Sequence, residues 1–440
     1  MNRTDEEILD FVEEHDVKFV RLSFCDLFGV QKNIAIMADQ LPRAFEEGIA
    51  FDGSSVAGFT SVECSDLFLV PDSSSVVILP WRPSHERVMR MYCTVKNPDG
   101  TVFEGDSRNI LKQASDRAMK MGYLCRIGTE CEFYLFQNDE NAMPTLKPFD
   151  YGSYADIAPL DRSENIRREI CLSLEEMGLS PESSHHESGP GQNEVDFCYA
   201  DALSAADNFV TFKATAKSIA MQNGLFASFT PKPLPDHSGS GMHINLSLLK
   251  NGHNLFQVQP QHSQDAESFI QGILDHIAEI TAFLNPLPNS YDRLGSMEAP
   301  RYITWSHQNR SQLIRIPASR GGENTRMEVR SPDSACNPYL AFALLIHAGL
   351  DGIEKKRKLV PPCNQNLYKA QDYVKDHKIE RLPKTLAEAL SLAESSALVQ
   401  QVIPERVANL YIQKKRVEWQ QSLHAENRAD DFYRNTFLLV

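Results

Sequence analysis

The chain has 440 residues, 42% hydrophobic and 23% charged, with a formal net charge of −15. That length exceeds one ordinary core and predicts two domains. The acidic balance excludes nucleic acid or an anionic membrane surface as a partner, and it requires that an anionic substrate be met by local arginines or metal ions.

The N-terminus is acidic and amphipathic, unlike an export signal. Thr4-Asp5-Glu6-Glu7 predicts a capping box opening a short helix, with Ile8, Leu9 and Phe11 turned to a core. Strands are expected over 18–24, 33–37, 75–79 and 89–95, and Asn97-Pro98-Asp99-Gly100 is a turn. Residues 1–105 thus form a compact, strand-rich first domain, and residues 106–440 a larger second one. In the second, helices are expected over 107–121, 163–177, 202–222, 266–284, 338–355, 383–398 and 404–423, mixed with strands. The longest apolar run, 339–350, is too short to span a membrane. Nine scattered cysteines form no CxxC pair, which speaks against a zinc knuckle and for a reducing, cytoplasmic setting.

Chemistry concentrates in three clusters. In the strand-like run Thr129–Phe136, Glu130 and Glu132 lie two apart and share a face. Like charges so placed repel unless water or a cation separates them; a solvated strand face would read the same way. Next, His185-His186-Glu187-Ser188-Gly189-Pro190-Gly191-Gln192-Asn193-Glu194 sets Glu187 and Glu194 on either side of a Gly-Pro-Gly turn that can fold them together. His243 follows the glycine-rich approach Ser238-Gly239-Ser240-Gly241, whose backbone can come close to a ligand; alone, it would equally be a core histidine. Third, Arg326, Glu328 and Arg330 share a strand face, with Met327 and Val329 on the other. A structural ion-pair ladder has the same pattern, but Arg310 and Arg315 nearby extend the supply of planar, bidentate donors suited to phosphate and carboxylate. Five glutamates and one histidine without a thiolate select hard cations, magnesium or manganese. With arginines, that is apparatus for phosphoryl transfer. No P-loop or GxGxxG loop is present.

Phe51-Asp52-Gly53-Ser54-Ser55, Gly189-Pro190-Gly191-Gln192, Gly239-Ser240-Gly241-Met242-His243, Asn289-Ser290-Tyr291, Glu298-Ala299-Pro300, Asn309-Arg310-Ser311 and Asn337-Pro338-Tyr339-Leu340, in that order along nearly the whole chain, resemble the glutamine synthetase family in its bacterial type I form. The resemblance implies an α+β fold: a small N-terminal β-grasp domain, and a larger catalytic domain with a curved antiparallel sheet and flanking helices. It implies a dodecamer of two hexameric rings with active sites between subunits. It also implies ligation of ammonia to glutamate through γ-glutamyl phosphate, with ATP as co-substrate and two or more Mg2+ or Mn2+ ions per site. By position, Glu132, Glu187 and Glu194 resemble ligands of one ion, and Glu130, His243 and Glu328 those of another. Arg293, Arg310 and Arg330 match groups that hold the glutamate carboxylates and the transferred phosphoryl, with Gly239 beside the amino acid. Glu182, Ser247, Arg315 and Arg326 match nucleotide and phosphate positions. Glu298 matches the glutamate of a flap that closes over the intermediate, and Asp52, from a neighbouring subunit, the group that takes a proton from ammonium. Tyr154, Ser55 and Glu187 complete the ammonium pocket.

The chain departs from the family pattern at Ser238, where asparagine is usual, at Asp292, where lysine is usual, at Ala155, and in a flap one residue shorter between Arg293 and Glu298. These cluster at the amino-acid end of the site. An organic amine such as a polyamine is therefore the alternative acceptor, and a non-catalytic structural oligomer the reading from a different class. Ser61 stands where one subtype carries an arginine tied to feedback. Tyr368 lies near a tyrosine adenylylated in another, in surroundings that do not match; it is expected to be an unmodified packing residue. The apolar end of the stretch 428–440 is expected to dock, either on the opposite ring or on its own subunit.

Overall fold

The computed structural model describes residues 4–82, 84–257, 262–319, 325–424 and 432–440. The opening helix, Asp5–Glu14, has the expected reciprocal cap between Thr4 and Glu7. It buries Ile8 and Val12, with Leu9 and Phe11 at the edge of the same core.

This helix covers a sheet of β1 (Val17–Cys25), β2 (Gln31–Met37), β3 (Ile49–Asp52), β4 (Asp66–Pro71), β5 (Val77–Ile78) and β6 (Arg87–Lys96), in the order β2-β1-β6-β4-β3 with β5 on β6. The β1–β6 pair at its centre is parallel. Strands β3 and β4 were not expected from the sequence. The strand expected over 75–79 shrinks to two residues, because Asp72 caps the turn Ser73–Ser75 ahead of it.

The larger sheet contains β7 (Leu124–Asn138), β8 (Pro144–Pro148), β9 (Pro181–His186), β10 (Gln192–Phe197), β11 (Ala200–Asp201), β12 (Leu225–Ser228), β13 (Met242–Lys250), β14 (His253–Asn254), β15 (Trp305–His307), β16 (Ile314–Ile316) and β17 (Met327–Val329). Its main path runs β15-β16-β17-β13-β7-β10-β9. Its described pairings are antiparallel except β15–β16, a parallel exception to the expected all-antiparallel sheet. Helices Ser107–Lys120, Ala202–Gln222, Gln264–Leu284 and Pro338–Glu354 pack on the apolar face. The last is buried on nearly all sides, which explains an apolar run that spans no membrane. Among the described residues no helix is long and apolar enough to cross one. The helix expected over 383–398 is broken at Ser396, whose hydroxyl accepts from Val399 N and caps a new helix, Ala397–Val402.

The two sheets are joined by polar contacts. Arg108 bridges Asp72 and Asp207, the Tyr92 hydroxyl donates to the Asp207 carbonyl, and Asn337 donates to Leu27 O while its own Cα lies where a Gly29 side chain would begin, 2.7 Å away. The final segment lies on its own chain: Phe437 is fully buried against Phe136 and Phe226, at centroid distances of 5.2 and 5.0 Å. The expected stretch from Arg428 up to the described tail lies outside the described residues.

Candidate active site

Register builds the site. Glu132 stands opposite Glu194 and Glu130 opposite Asp196 in the β7–β10 pair; His243 stands opposite Glu130 in β13–β7; His185 faces Glu194 in β10–β9. Opposed residues in paired strands share a face, so all six polar groups project to one side. The alternate residues Cys131, Phe133, Val195 and Ile244 are fully buried on the other. That apolar face locks the register, because a slip of one residue would drive the carboxylates into the core.

Two of these pairings set carboxylate against carboxylate, an arrangement that destabilises a sheet unless a cation lies between. The side chains carry the strain in their protonation. Burial, then the charge of Glu132, raises the Glu194 carboxyl well above its usual range, and the same two causes raise Glu187. Burial also raises Asp196, against a hydrogen bond from Ser183 that holds it down. Glu130 goes the other way. Burial would raise it, but the hydrogen bond and charge of His243, with help from Asn245 and Arg326, hold it at about 2. His243 Nδ1 lies 3.1 Å from Glu130 and 3.5 Å from Glu328.

Ligand atoms come within 4.8 Å of one another in three groups along this face: Glu130, His243 and Glu328; His185, Glu187 and Glu194; and Glu130, Glu194 and Asp196. Carboxylate oxygens with histidine nitrogens beside them, on strands that set like charges opposite one another, are a donor set that a divalent cation fits. A fourth group, Asp150, Asp161 and His186, is satisfied within the protein: the His186 ring reaches Asp150 and the Glu187 carbonyl, and Asp161 pairs with Arg167.

Arg326 and Arg330 line one cavity, so the expected shared face with Glu328 stands, but the ion pairing on it differs from a simple ladder. Met327 and Val329 are buried as expected. But Glu328, fully buried, is clamped by Arg330 and by Arg315 (2.6 Å), while Arg326 turns to Asn245 at 3.0 Å. Arg315 sits directly across from Glu328 in the β16–β17 register, which brings its guanidinium to the carboxylate from the neighbouring strand.

A cavity of about 400 Å³ covers the face, and Glu130, Glu132, Tyr154, Glu187, Glu194, Gly239, His243, Arg293, Glu298, Arg310, Arg315 and Arg330 line it. A second, of about 540 Å³, adjoins it through Glu130, Asp196 and Arg326 and takes in Glu182 and Ser247. Of the four residues expected at the nucleotide, Glu182 and Ser247 line the second cavity, Arg315 the first, and Arg326 both.

The glycine-rich approaches are demanded by contact. A Cβ on Gly241 would stand 2.4 Å from Arg293 Nη2, and one on Gly239 would meet Pro231 O at 2.4 Å. Without them Arg293 runs past freely and donates to the carbonyls of Ser331, Pro332 and Arg330. Gly189 leaves room for the Tyr134 hydroxyl, which donates to Ser238 O.

Three of the expected residues line neither cavity; one is Glu328, buried beneath its arginines. The others, Asp52 and Ser55, sit at the exposed end of β3, where hydrogen bonds from Ser54 and Ser55 lower the Asp52 carboxyl and keep it ionised. Asp292, which lies by Lys232, also lines neither, although Ser238 lines the first. The sequence reading missed His185 and Asp196 as candidate ligands. Asp196 was legible, since it lies two along from Glu194 on one strand, the spacing that drew attention to Glu130 and Glu132. Glu132 lies outside the three ligand groups. It accepts from Gly241 N at 2.7 Å and from Gln192 Nε2 at 3.3 Å.

Comparison with known proteins bears on this geometry. The family model "Glutamine synthetase, catalytic domain" matches residues 104–433, and "Glutamine synthetase, beta-Grasp domain" matches residues 16–98. A glutamine synthetase of Methanosarcina mazei is 49% identical over 423 residues, 95% of this chain and 94% of its own. That of Thermus thermophilus is 45% identical over 430 residues, 95% of this chain and 96% of its own. The solved structure "GmaS/ADP complex-Conformation 1" superposes with a TM-score of 0.86 at 31% identity, over 99% of this chain and 100% of that one.

Proposed function

Because the chain belongs to the glutamine synthetase family, we propose that this pocket joins ammonia to the side-chain carboxylate of glutamate, giving glutamine, ADP and phosphate from ATP. The observation that carries the reading is the register itself: carboxylates opposed across paired strands in a cavity whose far rim is arginine.

A carboxylate does not acylate ammonia unaided, since oxide would have to leave. Attack of the glutamate γ-carboxylate on the terminal phosphoryl of ATP exchanges that leaving group for phosphate. Arg310, Arg315 and Arg330 stand where the negative charge develops, and the buried Glu328 holds two of them in place. Arg293, fixed by three backbone carbonyls, presents its charge to the amino acid beside Gly239. Glu130, His243 and Glu328 form one cation site; Glu187 and Glu194, with Glu132 close by, form the other, and Mg2+ or Mn2+ suits both. Such ions, when bound, neutralise the polyphosphate and the phosphoryl in transfer. Glu182, Ser247 and Arg326 take the nucleotide in the adjoining cavity.

Asp52, already ionised, then accepts the proton of ammonium, with Ser55, Tyr154 and Glu187 around the cation. It does so from a neighbouring subunit, in a cytoplasmic dodecamer of two hexameric rings, with residues 1–105 serving as the unit that carries it. Glu298 and its flap exclude water from the acyl phosphate.

The test supplies purified protein with ATP, magnesium, glutamate and either ammonium or a panel of organic amines, and measures phosphate and amide. Equal yields of phosphate and glutamine with ammonium are expected. Turnover with amines alone would move the substrate to the amine class, and no phosphate under any condition would reject catalysis.

A further inference from the structure

The flap is poorly supported from behind. Between Arg293 and Glu298 it turns through Gly295 (φ 77°) and Met297 (φ 48°), with Met297 exposed, and a cavity of about 210 Å³ lies at its back between Gly295, Met297, Arg301, Tyr302, Leu367 and Tyr368. Packing therefore does little to hold it, and polar contacts must.

One side chain reaches both of the segments that the reaction needs in register. The Tyr368 hydroxyl lies 2.5 Å from Glu298 O and 3.1 Å from Arg310 O, so its single hydrogen is shared between the backbone of the flap glutamate and that of an arginine of the phosphoryl site. Glu298 O also receives Arg330 Nη2 at 3.4 Å, which connects the same carbonyl to the clamp on Glu328.

Tyr368 is itself mounted on a fixed post. Leu367 is buried with Tyr302 and Cys363, and its N–H donates to Ser311 Oγ at 3.0 Å. Gln365 O accepts from Asn309 and Gln312 on the loop that carries Arg310. A tyrosine there for packing alone would leave its hydroxyl in water. This one is directed at two carbonyls.

We infer that Tyr368 is a positioning residue whose hydroxyl latches the flap to the Arg310 loop, so that water stays out while the acyl phosphate waits for ammonia. The inference rests on the proposed ligase reading for its catalytic outcome but not for its structural one.

The test is Tyr368→Phe in the whole, assembled protein. Loss of one shared hydrogen bond predicts that amide exchange across residues 295–300 speeds up by about two- to ten-fold. With limiting ammonium, phosphate released per glutamine formed should rise above one, because water intercepts the intermediate, while the KM for ATP stays within about two-fold. Tyr368→Trp, which fills the space without the same reach, should behave alike. A Phe variant with wild-type exchange and one phosphate per glutamine overturns the latch. If the wild-type protein makes no glutamine, the ligase reading fails and the exchange measurement alone decides the latch.

Discussion

Glu194 and Glu328 are both buried glutamates on one sheet face, yet neutralising them should move stability in opposite directions. Glu194 faces Glu132 across the strand pair. Side chains so opposed stand ~5 Å apart, and two unit charges at that separation and an effective dielectric of ~20 repel by about 3 kcal/mol. Partial protonation already relieves some of this, as the raised Glu194 carboxyl indicates. In protein stripped of divalent ions, Glu194→Gln should therefore be stabilising by about 1–2 kcal/mol. Glu328, by contrast, is clamped between Arg315 and Arg330. Glu328→Gln leaves two guanidiniums short of a buried counter-charge, which costs about 3–5 kcal/mol. The assay is thermal unfolding of wild type and both variants after exhaustive chelation, repeated across a magnesium titration at fixed protein concentration. Magnesium should raise the wild-type midpoint by linkage and raise that of Glu194→Gln much less. If Glu194→Gln lowers the chelated midpoint as much as Glu328→Gln does, the carboxylate pairs are not the repulsive centre described here, and the cation sites built on them fall.

Gly241→Ala places a methyl group 2.4 Å from Arg293 Nη2; the displaced guanidinium should raise the KM for the amino acid by about ten-fold or more, with the KM for ATP little changed, as steady-state kinetics would read. His347, buried beside Arg117, has its imidazole pushed down to about 4, by burial first and that charge second. The unfolded chain then takes up a proton that the folded one resists, so His347 favours the fold above about pH 6.5, and that contribution, up to about 3 kcal/mol, disappears as pH falls towards 4. Urea titrations between these pH values should show wild-type stability falling relative to His347→Gln as the pH is lowered. Phe437→Ala empties a fully buried site between Phe136 and Phe226 and should cost about 3–5 kcal/mol, visible as a lower unfolding midpoint.

Much was legible in the linear chain where the cause is local. The cap at Thr4 and Glu7 and the helix Ala202–Gln222 follow from contacts three or four residues apart. The shared face of Glu130 and Glu132 follows from the two-residue period of a strand, and the ordered motifs identified the family.

What only the tertiary structure decided is which strand lies beside which, and in what register. That choice replaced Arg326 by Arg315 as a partner of Glu328, added Asp196 and His185 to the acidic face, and divided the nucleotide residues between two cavities. It also put the Tyr368 hydroxyl on the carbonyls of Glu298 and Arg310, which lie 70 and 58 residues away in the chain. Residues two apart on a strand share a face whatever surrounds them. Neighbours across strands are selected by burial of the opposite, apolar face over the whole sheet, and no short window of sequence contains that energy.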